Sequence, residues 1–229
     1  MQTKQTYINE IDIKRESRKT LKIVITQQGR VVVFVPYKME MSKVQELVDK
    51  KANWINKKLA GIVKCNDDNK DLITYKQVLI CGKRCAVQSG STKKITLSND
   101  IFYVPDKFFI ENTYIYNTKK WFKNFAKELL VKRIEELSKT FRVGYSGVKI
   151  GDFKSKWGSC DSKKNIKLNY KLVMLPPVVI DYVILHELSH TYEMNHSKKF
   201  YMVLENFMPG WKQARLVLKE HNYLLTLYK

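Results

Sequence analysis

The segment HELSH at 186–190 carries two histidines four residues apart. In an α-helix, residues with this spacing lie one above the other on the same face, so both imidazoles could reach one metal ion. Glu187 stands beside the first histidine, where its carboxylate could take a proton from a water that the metal has made acidic. Three of the four histidines, His186, His190 and His196, fall within eleven positions. The pattern predicts a metal-dependent hydrolase with Glu187 as its general base.

A catalytic zinc ion is commonly held by three protein ligands, which leaves a fourth position for water. His196 is the favoured third ligand, because its spacing from His190 matches a known ligand arrangement. Six residues of helix would carry this position about 9 Å along the axis, so the helix must end first. Asn195 is suited to a left-handed position in the turn. Glu205 and Glu220 are the alternative ligands.

Three further side chains bear on this predicted site. Glu193 could support a ligand histidine, although a solvated carboxylate on the helix surface is the simpler interpretation. It also stands where metzincins place a turn glycine, which argues against membership of that family. Cys160 or His221 could complete a closed, structural zinc site, and the protein would then be a binding module. Neither residue is assigned a role.

The composition narrows the class of protein. The 229 residues include 42 Lys and Arg against 22 Asp and Glu, a formal net charge of +20, and 44% are hydrophobic. This apolar content predicts a folded protein with a buried core. Few of the basic residues are arginines, which are favoured for reading bases and gripping phosphates. We therefore expect weak binding of nucleic acid or another polyanion rather than specific recognition.

The sequence also predicts the cellular compartment of the protein. No apolar run approaches the roughly 20 residues that span a bilayer, and residues 1–10 lack the apolar centre of a secretory signal. The cysteines form neither a CxxC pair nor a disulfide framework. They are Cys65, Cys81, Cys85 and Cys160. We expect reduced thiols in a cytoplasmic protein that has no membrane partner.

Hydrophobic patterns divide the chain into two predicted domains of an α+β fold. Residues 1–108 form a mostly β unit with one helix, and residues 109–229 form a catalytic domain with a long helix, a small sheet, an active-site helix and C-terminal helices. Strands are predicted at 7–13, 20–26, 31–35, 73–81, 85–88, 94–97, 101–104, 148–155 and 165–172. Helices are predicted at 42–61, 111–141, 178–194, 197–208 and 210–228.

Three segments together resemble the YgjP-like metal-dependent hydrolases, a family of zincin metallopeptidases. The segments are KSKWGSC at 154–160, IKLNY at 166–170, and the histidine-bearing stretch at 180–201. RKTL at 18–21 and the Trp-Ile pair at 54–55 are also similar. The resemblance covers almost the whole chain. It implies a zincin-like core in which His186, His190 and His196 bind Zn²⁺ and Glu187 is the general base.

The resemblance also implies that a strand lies over the active-site helix, with the WGSC segment near that strand. In such peptidases an extended substrate adds to an edge strand, so Lys156, Trp157, Gly158 and Ser159 are candidate substrate-binding residues. A core tryptophan followed by a tight turn is the alternative interpretation. Lys156 and Tyr170 stand where relatives commonly have Arg and Trp, which puts in doubt any role that needs a planar guanidinium at 156.

These observations favour a zinc metalloendopeptidase that acts on peptides or proteins. Tyr192 and Lys156 are candidates for stabilising the oxyanion. One alternative is a metal-dependent hydrolase of nucleotides or other phosphoesters, in which surface lysines would hold the anion. Another is a DNA-associated protease. It is based on a more distant resemblance to SprT-like and Wss-type proteases, in the HExxH helix, His196 and Phe200.

Overall fold

The computed structural model describes residues 11–26, 29–68, 72 and 76–228, with the backbone alone described at 63–68. Helices and three small sheets follow one another along the chain, which confirms the predicted α+β class. The chain forms two compact units, residues 1–70 and 71–229. Within the described residues, no helix combines the length and the apolar character needed to cross a bilayer.

The first unit consists of a three-stranded sheet and two helices. Its elements are β1 (Ile11–Glu16), β2 (Lys22–Ile25), β3 (Val31–Pro36), α1 (Met41–Asp49) and α2 (Ala52–Asp68). The strand order is β1-β3-β2, with β1 parallel and β2 antiparallel to β3. Alternate residues of β3 share one face of the sheet, so its valines join apolar residues of both helices in a separate core. This core contains Val31, Val33, Val35, Val44, Val48, Ile55 and Leu59.

The strands predicted at 20–26 and 31–35 correspond to β2 and β3, which pair antiparallel. The first strand is described from Ile11, and residues 7–10 of its predicted range lie outside the described residues. The sequence predicts one helix at 42–61, whereas the structure has two, separated at Lys50 and Lys51. The second helix continues past Gly61, because a single glycine lowers helix stability by only about 1 kcal/mol.

The second unit begins with a four-stranded sheet, whose strands lie in the order β4-β5-β7-β6. These are β4 (Gln77–Ile80), β5 (Lys83–Gly90), β6 (Thr96–Ser98) and β7 (Ile101–Pro105). Phe102 stacks on Phe122, with ring centroids 6.0 Å apart, and the Cys81 N–H donates to the Val173 carbonyl at 2.7 Å. The sheet thus shares a core with residues far along the chain. The division at 70/71 does not coincide with the boundary predicted between 108 and 109.

Two helices follow this sheet, α3 (Asp106–Ile110) and α4 (Tyr114–Phe141). The sequence predicts one helix from 111, but the chain turns at Asn112, which has a positive φ of 53°. Phe122, Ala126, Leu130 and Ile134 are fully buried. Because they are four residues apart, they form one face of α4. This face belongs to the core of the second unit.

The last sheet has the order β8-β10-β9. Its strands are β8 (Gly147–Gly151), β9 (Gly158–Cys160) and β10 (Asn165–Asn169). The sequence predicts 157–160 as a connection, but three of these residues form β9, which pairs antiparallel with β10. Among the described residues β9 has no strand on its other side. The remaining elements are a 3₁₀ helix (Tyr170–Met174), α5 (Pro177–Ser189), α6 (Lys198–Phe207), α7 (Trp211–Glu220) and a second 3₁₀ helix (Asn222–Thr226).

Candidate metal centre

Helix α5 carries the first two histidines. Pro177 occupies its first turn, where the missing N–H of proline costs no hydrogen bond. Nine of the 13 residues of this helix are buried, and it ends at Ser189 rather than at the predicted 194. His190 is therefore the C-cap. His186 and His190 lie on the same side, with ring centroids 5.0 Å apart.

The chain turns back immediately after α5. The main-chain N–H of Glu193 donates to the carbonyl of Ser189 at 3.2 Å. Asn195 does not have the positive φ predicted for it, so the chain reverses through ordinary backbone conformations. The turn brings Nε2 of His196 to 3.1 Å from Nε2 of His186. The early end of α5 thus supplies the break in the helix that a ligand at His196 would require.

The three histidines meet as a metal site would require. Potential ligand atoms of His186, His190 and His196 all lie within 4.8 Å of one another. Two nitrogens bound to a tetrahedral zinc at roughly 2.0–2.1 Å would be about 3.3 Å apart, close to the observed 3.1 Å. Burial and the two neighbouring histidines lower the pKa of His186 to about 3, and burial lowers the pKa of His190. Neutral imidazoles offer the lone pair that a metal ion binds, so this group fits a divalent transition metal.

The ring of His190 is oriented by the turn. Its Nδ1 lies 3.1 Å from the main-chain carbonyl oxygen of Glu193. A carbonyl oxygen only accepts hydrogen bonds, so Nδ1 carries the proton and Nε2 remains free for a metal. The sequence raises the Glu193 side chain as a support for a ligand, but the supporting group is its main-chain carbonyl. This kind of contact fixes the tautomer of a ligand histidine.

Phe200 packs against all three imidazoles. Its ring centroid lies 4.9 Å from that of His186, 4.5 Å from that of His190 and 4.8 Å from that of His196. Phe200 is fully buried, and Ser197 caps its helix by accepting a hydrogen bond from the Phe200 N–H. One aromatic side chain therefore restricts the positions of all three rings.

The side chain of Glu187, on α5, lies against Gly158 of β9. Its carboxyl group is buried, and its Oε2 has no hydrogen-bond partner among the described residues. A Cβ placed on Gly158 would come within 2.6 Å of the Glu187 Oε1, so only glycine leaves room for this carboxyl group. Burial raises the pKa of Glu187 to about 8, against an opposing effect of the Lys156 charge. The carboxyl group can therefore gain or lose a proton near neutral pH.

A cavity of about 170 Å³ adjoins both Glu187 and His186. Trp157 and Gly158 line it together with Tyr182 of α5 and Leu218 of α7. Trp157 is buried, and its Nε1 donates to the Asn222 side chain at 2.9 Å. The cavity thus opens onto a potential metal ligand and onto the carboxyl group that is the candidate base.

The four candidate substrate-binding residues lie in and before β9. Exposed Lys156 donates from Nζ to the Ser159 Oγ at 3.2 Å and lies 5.2 Å from the Phe153 ring centroid. Trp157 and Gly158 line the cavity. The Asn169 side chain donates to the Lys156 carbonyl at 3.0 Å, and its N–H donates to the Trp157 carbonyl at 2.8 Å. The segment is therefore held in place beside the cavity.

Other candidates from the sequence do not join the cluster. Of the described residues, the group of three or more metal-binding side chains consists of the three histidines, without Cys160, Glu205, Glu220 or His221. The Nδ1 of His221 lies 2.8 Å from the Val217 carbonyl oxygen. Burial, together with nearby carboxylates, raises the pKa of the Cys160 thiol to about 11. A closed site with a fourth protein ligand is therefore absent from the described residues.

Sequence reasoning missed an aromatic stack beside the histidines. Tyr182, one turn before His186, lies 5.9 Å from its ring, and the Trp211 ring is nearly parallel to the rings of Tyr182 and Tyr201, with centroids 6.4 and 5.0 Å away. Arg215, one turn after Trp211, lies 5.8 Å from the Trp211 ring centroid. The four-residue spacings within α5 and α7 were available in the sequence. The contact between the two helices was not.

With this geometry established, comparison with known proteins gives a family. The family model of the YgjP-like metallopeptidase domain matches residues 19–221. The chain belongs to the YgjP-like metallopeptidase family. No curated protein and no solved structure matches it. As a YgjP-like protein it is a metal-dependent hydrolase of peptides or proteins, and the three-histidine cluster suggests where its metal ion binds.

Proposed function

We propose that the protein is a zinc endopeptidase in which His186, His190 and His196 hold the zinc ion and Glu187 is the general base. The observation that carries this proposal is the convergence of three imidazoles beside a buried carboxyl group and a cavity. The family supplies the reaction class. The local geometry supports the proposed roles.

The choice of zinc follows from the donor set. Three neutral imidazoles suit zinc, whereas magnesium and calcium prefer carboxylate and carbonyl oxygens. His196 is exposed, so solvent and substrate could reach the proposed zinc site. Bound zinc lowers the pKa of a coordinated water and polarises a substrate carbonyl. Phe200 packs against the His190 ring, and the Glu193 carbonyl accepts a hydrogen bond from its Nδ1. Both contacts restrict the orientation of a proposed ligand.

The position of Glu187 supports its proposed role as the general base. It would accept the proton of the attacking water and deliver it to the leaving amine. Its carboxyl group borders the same cavity as His186, and burial gives it a pKa of about 8. Gly158 leaves the space that the carboxyl group occupies.

The free edge of β9 is the proposed substrate platform. An extended peptide would pair with Gly158–Cys160 through main-chain hydrogen bonds. An endopeptidase cleaves within a chain, so we expect its substrate to extend beyond this three-residue strand at both ends. Lys156 and Ser159 would flank the bound chain.

The test pairs metal analysis with hydrolysis. Purified protein should hold about one zinc per chain, and His196→Ala should lose most of it, whereas His221→Ala should retain it. Glu187→Gln should lower kcat by about a hundredfold or more with zinc still bound, and Glu205→Gln, on exposed α6 surface, should not. Unchanged hydrolysis in Glu187→Gln would refute its role. Phosphate release from nucleotides without peptide cleavage would refute the peptidase.

The proposed compartment is the cytoplasm. Cys81, Cys85 and Cys160 are unpaired thiols, as a reducing compartment would keep them. Thiol titration of the denatured protein, prepared without reductant, should find all four cysteines reduced.

A further inference from the structure

One face of α7 borders the candidate active site. Trp211, Arg215 and Leu218 follow one another by four and three residues, so they lie on the same side of the helix. Leu218 lines the cavity that contains His186 and Glu187. This face therefore points toward the reaction centre, and Arg215 lies midway along it.

The guanidinium of Arg215 rests on a rigid support. It lies 5.8 Å from the ring centroid of buried Trp211. That ring is nearly parallel to those of Tyr182 and Tyr201, with interplanar angles of 8° and 15°. Tyr182 in turn contacts His186. An arginine that stacks on an aromatic face keeps its hydrogen-bond donors free at its edge.

Arg215 has no acidic partner among the described residues, since none of their ion pairs includes it. It lies one turn before Leu218 on the same face of α7, and Leu218 lines the cavity.

A second cation lies on the β9 side. Lys156 also takes part in no ion pair among the residues described, and its Nζ donates to the Ser159 Oγ of β9 at 3.2 Å. The carboxyl group of Glu187 is buried and borders the cavity. Of the elements that line this cleft, the β9 segment and α7 therefore each carry a cation, apart from any metal ion.

We propose that the enzyme selects peptides with an Asp or Glu side chain close to the scissile bond, and that Arg215 binds this carboxylate. The inference rests on the proposed function, because it names the substrate class of the same site. A guanidinium and a carboxylate form two parallel hydrogen bonds. The support on Trp211 fixes the guanidinium before the substrate arrives, so little side-chain entropy is lost on binding.

The test uses zinc-loaded enzyme and pairs of peptides that differ only by Glu or Gln at one position, moved along both sides of the cleaved bond. Wild-type enzyme should prefer Glu at one position by about tenfold or more in kcat/KM. Arg215→Gln should abolish the preference for Glu. Arg215→Glu should instead prefer Lys over Gln in a matching pair of peptides. Lys127→Gln, which removes one exposed charge from α4, should leave it unchanged.

A binding measurement separates this inference from the proposed function. The Glu peptide should bind zinc-loaded Glu187→Gln at least about tenfold more tightly than the Gln peptide in calorimetry, and adding Arg215→Gln should remove the difference. Peptide hydrolysis with no Glu preference would overturn the inference and leave the peptidase intact. Equal loss of kcat on both peptides in Arg215→Gln would also overturn it. A binding preference without any hydrolysis would support Arg215 and refute the catalytic proposal.

Discussion

Glu187 should make the metal-free protein less stable as the pH rises. Burial raises its pKa from 4.5 to about 8, so the folded protein holds this proton more tightly than the unfolded chain does. A raised pKa stabilises the fold fully below the unfolded value. That stabilisation is lost as the pH rises toward the folded value. The loss should therefore fall between about pH 4.5 and pH 8.

The size of the effect follows from the two pKa values. One unit of pKa difference corresponds to about 1.4 kcal/mol. With values of 4.5 and about 8, the free energy of unfolding should fall by about 3.5 kcal/mol between about pH 5 and about pH 8. For a chain of this size, that is a decrease in Tm of about 10 °C.

Glu187→Gln isolates this contribution, because the amide keeps the shape of the carboxyl group and does not titrate. Wild type and variant, both stripped of metal with a chelator, would be unfolded in urea at several pH values. Relative to wild type, the free energy of unfolding of the variant should rise by about 3.5 kcal/mol between about pH 5 and about pH 8. The pKa of His186 is lowered to about 3, so acid destabilises both proteins. Because both contain His186, its contribution to the free energy of unfolding cancels when the two are compared.

Two controls sharpen this experiment. Glu205→Gln, which alters an exposed carboxylate on α6, should follow the wild-type curve. Saturating zinc should reduce the difference between wild type and Glu187→Gln, since a nearby cation favours the carboxylate. Parallel unfolding curves for metal-free wild type and Glu187→Gln across this pH range would refute the buried, unpartnered carboxyl group.

Three further predictions concern the surroundings of the site. Gly158→Ala should force the Glu187 carboxyl group aside, destabilise the protein by about 1–3 kcal/mol and lower kcat at least about tenfold, whereas Gly144→Ala, whose Cβ meets no atom within 4 Å, should do neither. Phe200→Ala should cost about 3–5 kcal/mol in urea unfolding and weaken zinc binding in a chelator competition, unlike Phe109→Ala at an exposed position; unchanged zinc affinity would contradict the role of the Phe200 ring. Zinc at about a thousandfold excess over its Kd should add about 4 kcal/mol to the free energy of unfolding, and a Tm independent of zinc would contradict the site.

The sequence predicts the histidine cluster because the cluster depends on local geometry. The i and i+4 spacing of His186 and His190 needs only a helix, and His196 needs only that this helix end. Asn195 was the wrong signal for that end, because its backbone is not left-handed. Ser189 accepts the hydrogen bonds of the turn instead.

Longer-range features lie beyond such reasoning. The strands at 77–105 have the same alternating pattern as those of the first unit, and alternation does not reveal which sheet a strand joins. The Phe102 ring stacks on Phe122, and this contact places the sheet in the core of the second unit. In the same way, nothing local indicates that Gly158 faces Glu187, because their contact depends on β9 lying against α5.

The two cations of the cleft bear on the doubt, raised by the family resemblance, about any role of Lys156 that needs a planar guanidinium. Lys156 donates one hydrogen bond to the Ser159 side chain and acts on Glu187 through its charge. Neither contact needs a planar group, because a Coulomb interaction depends on distance and on the dielectric, not on the geometry of a fork. Bidentate recognition does need one, and in this cleft Arg215 can supply it. A lysine at 156 is therefore compatible with Glu187 as the proposed base. Recognition of the substrate carboxylate would then depend on Arg215 of α7.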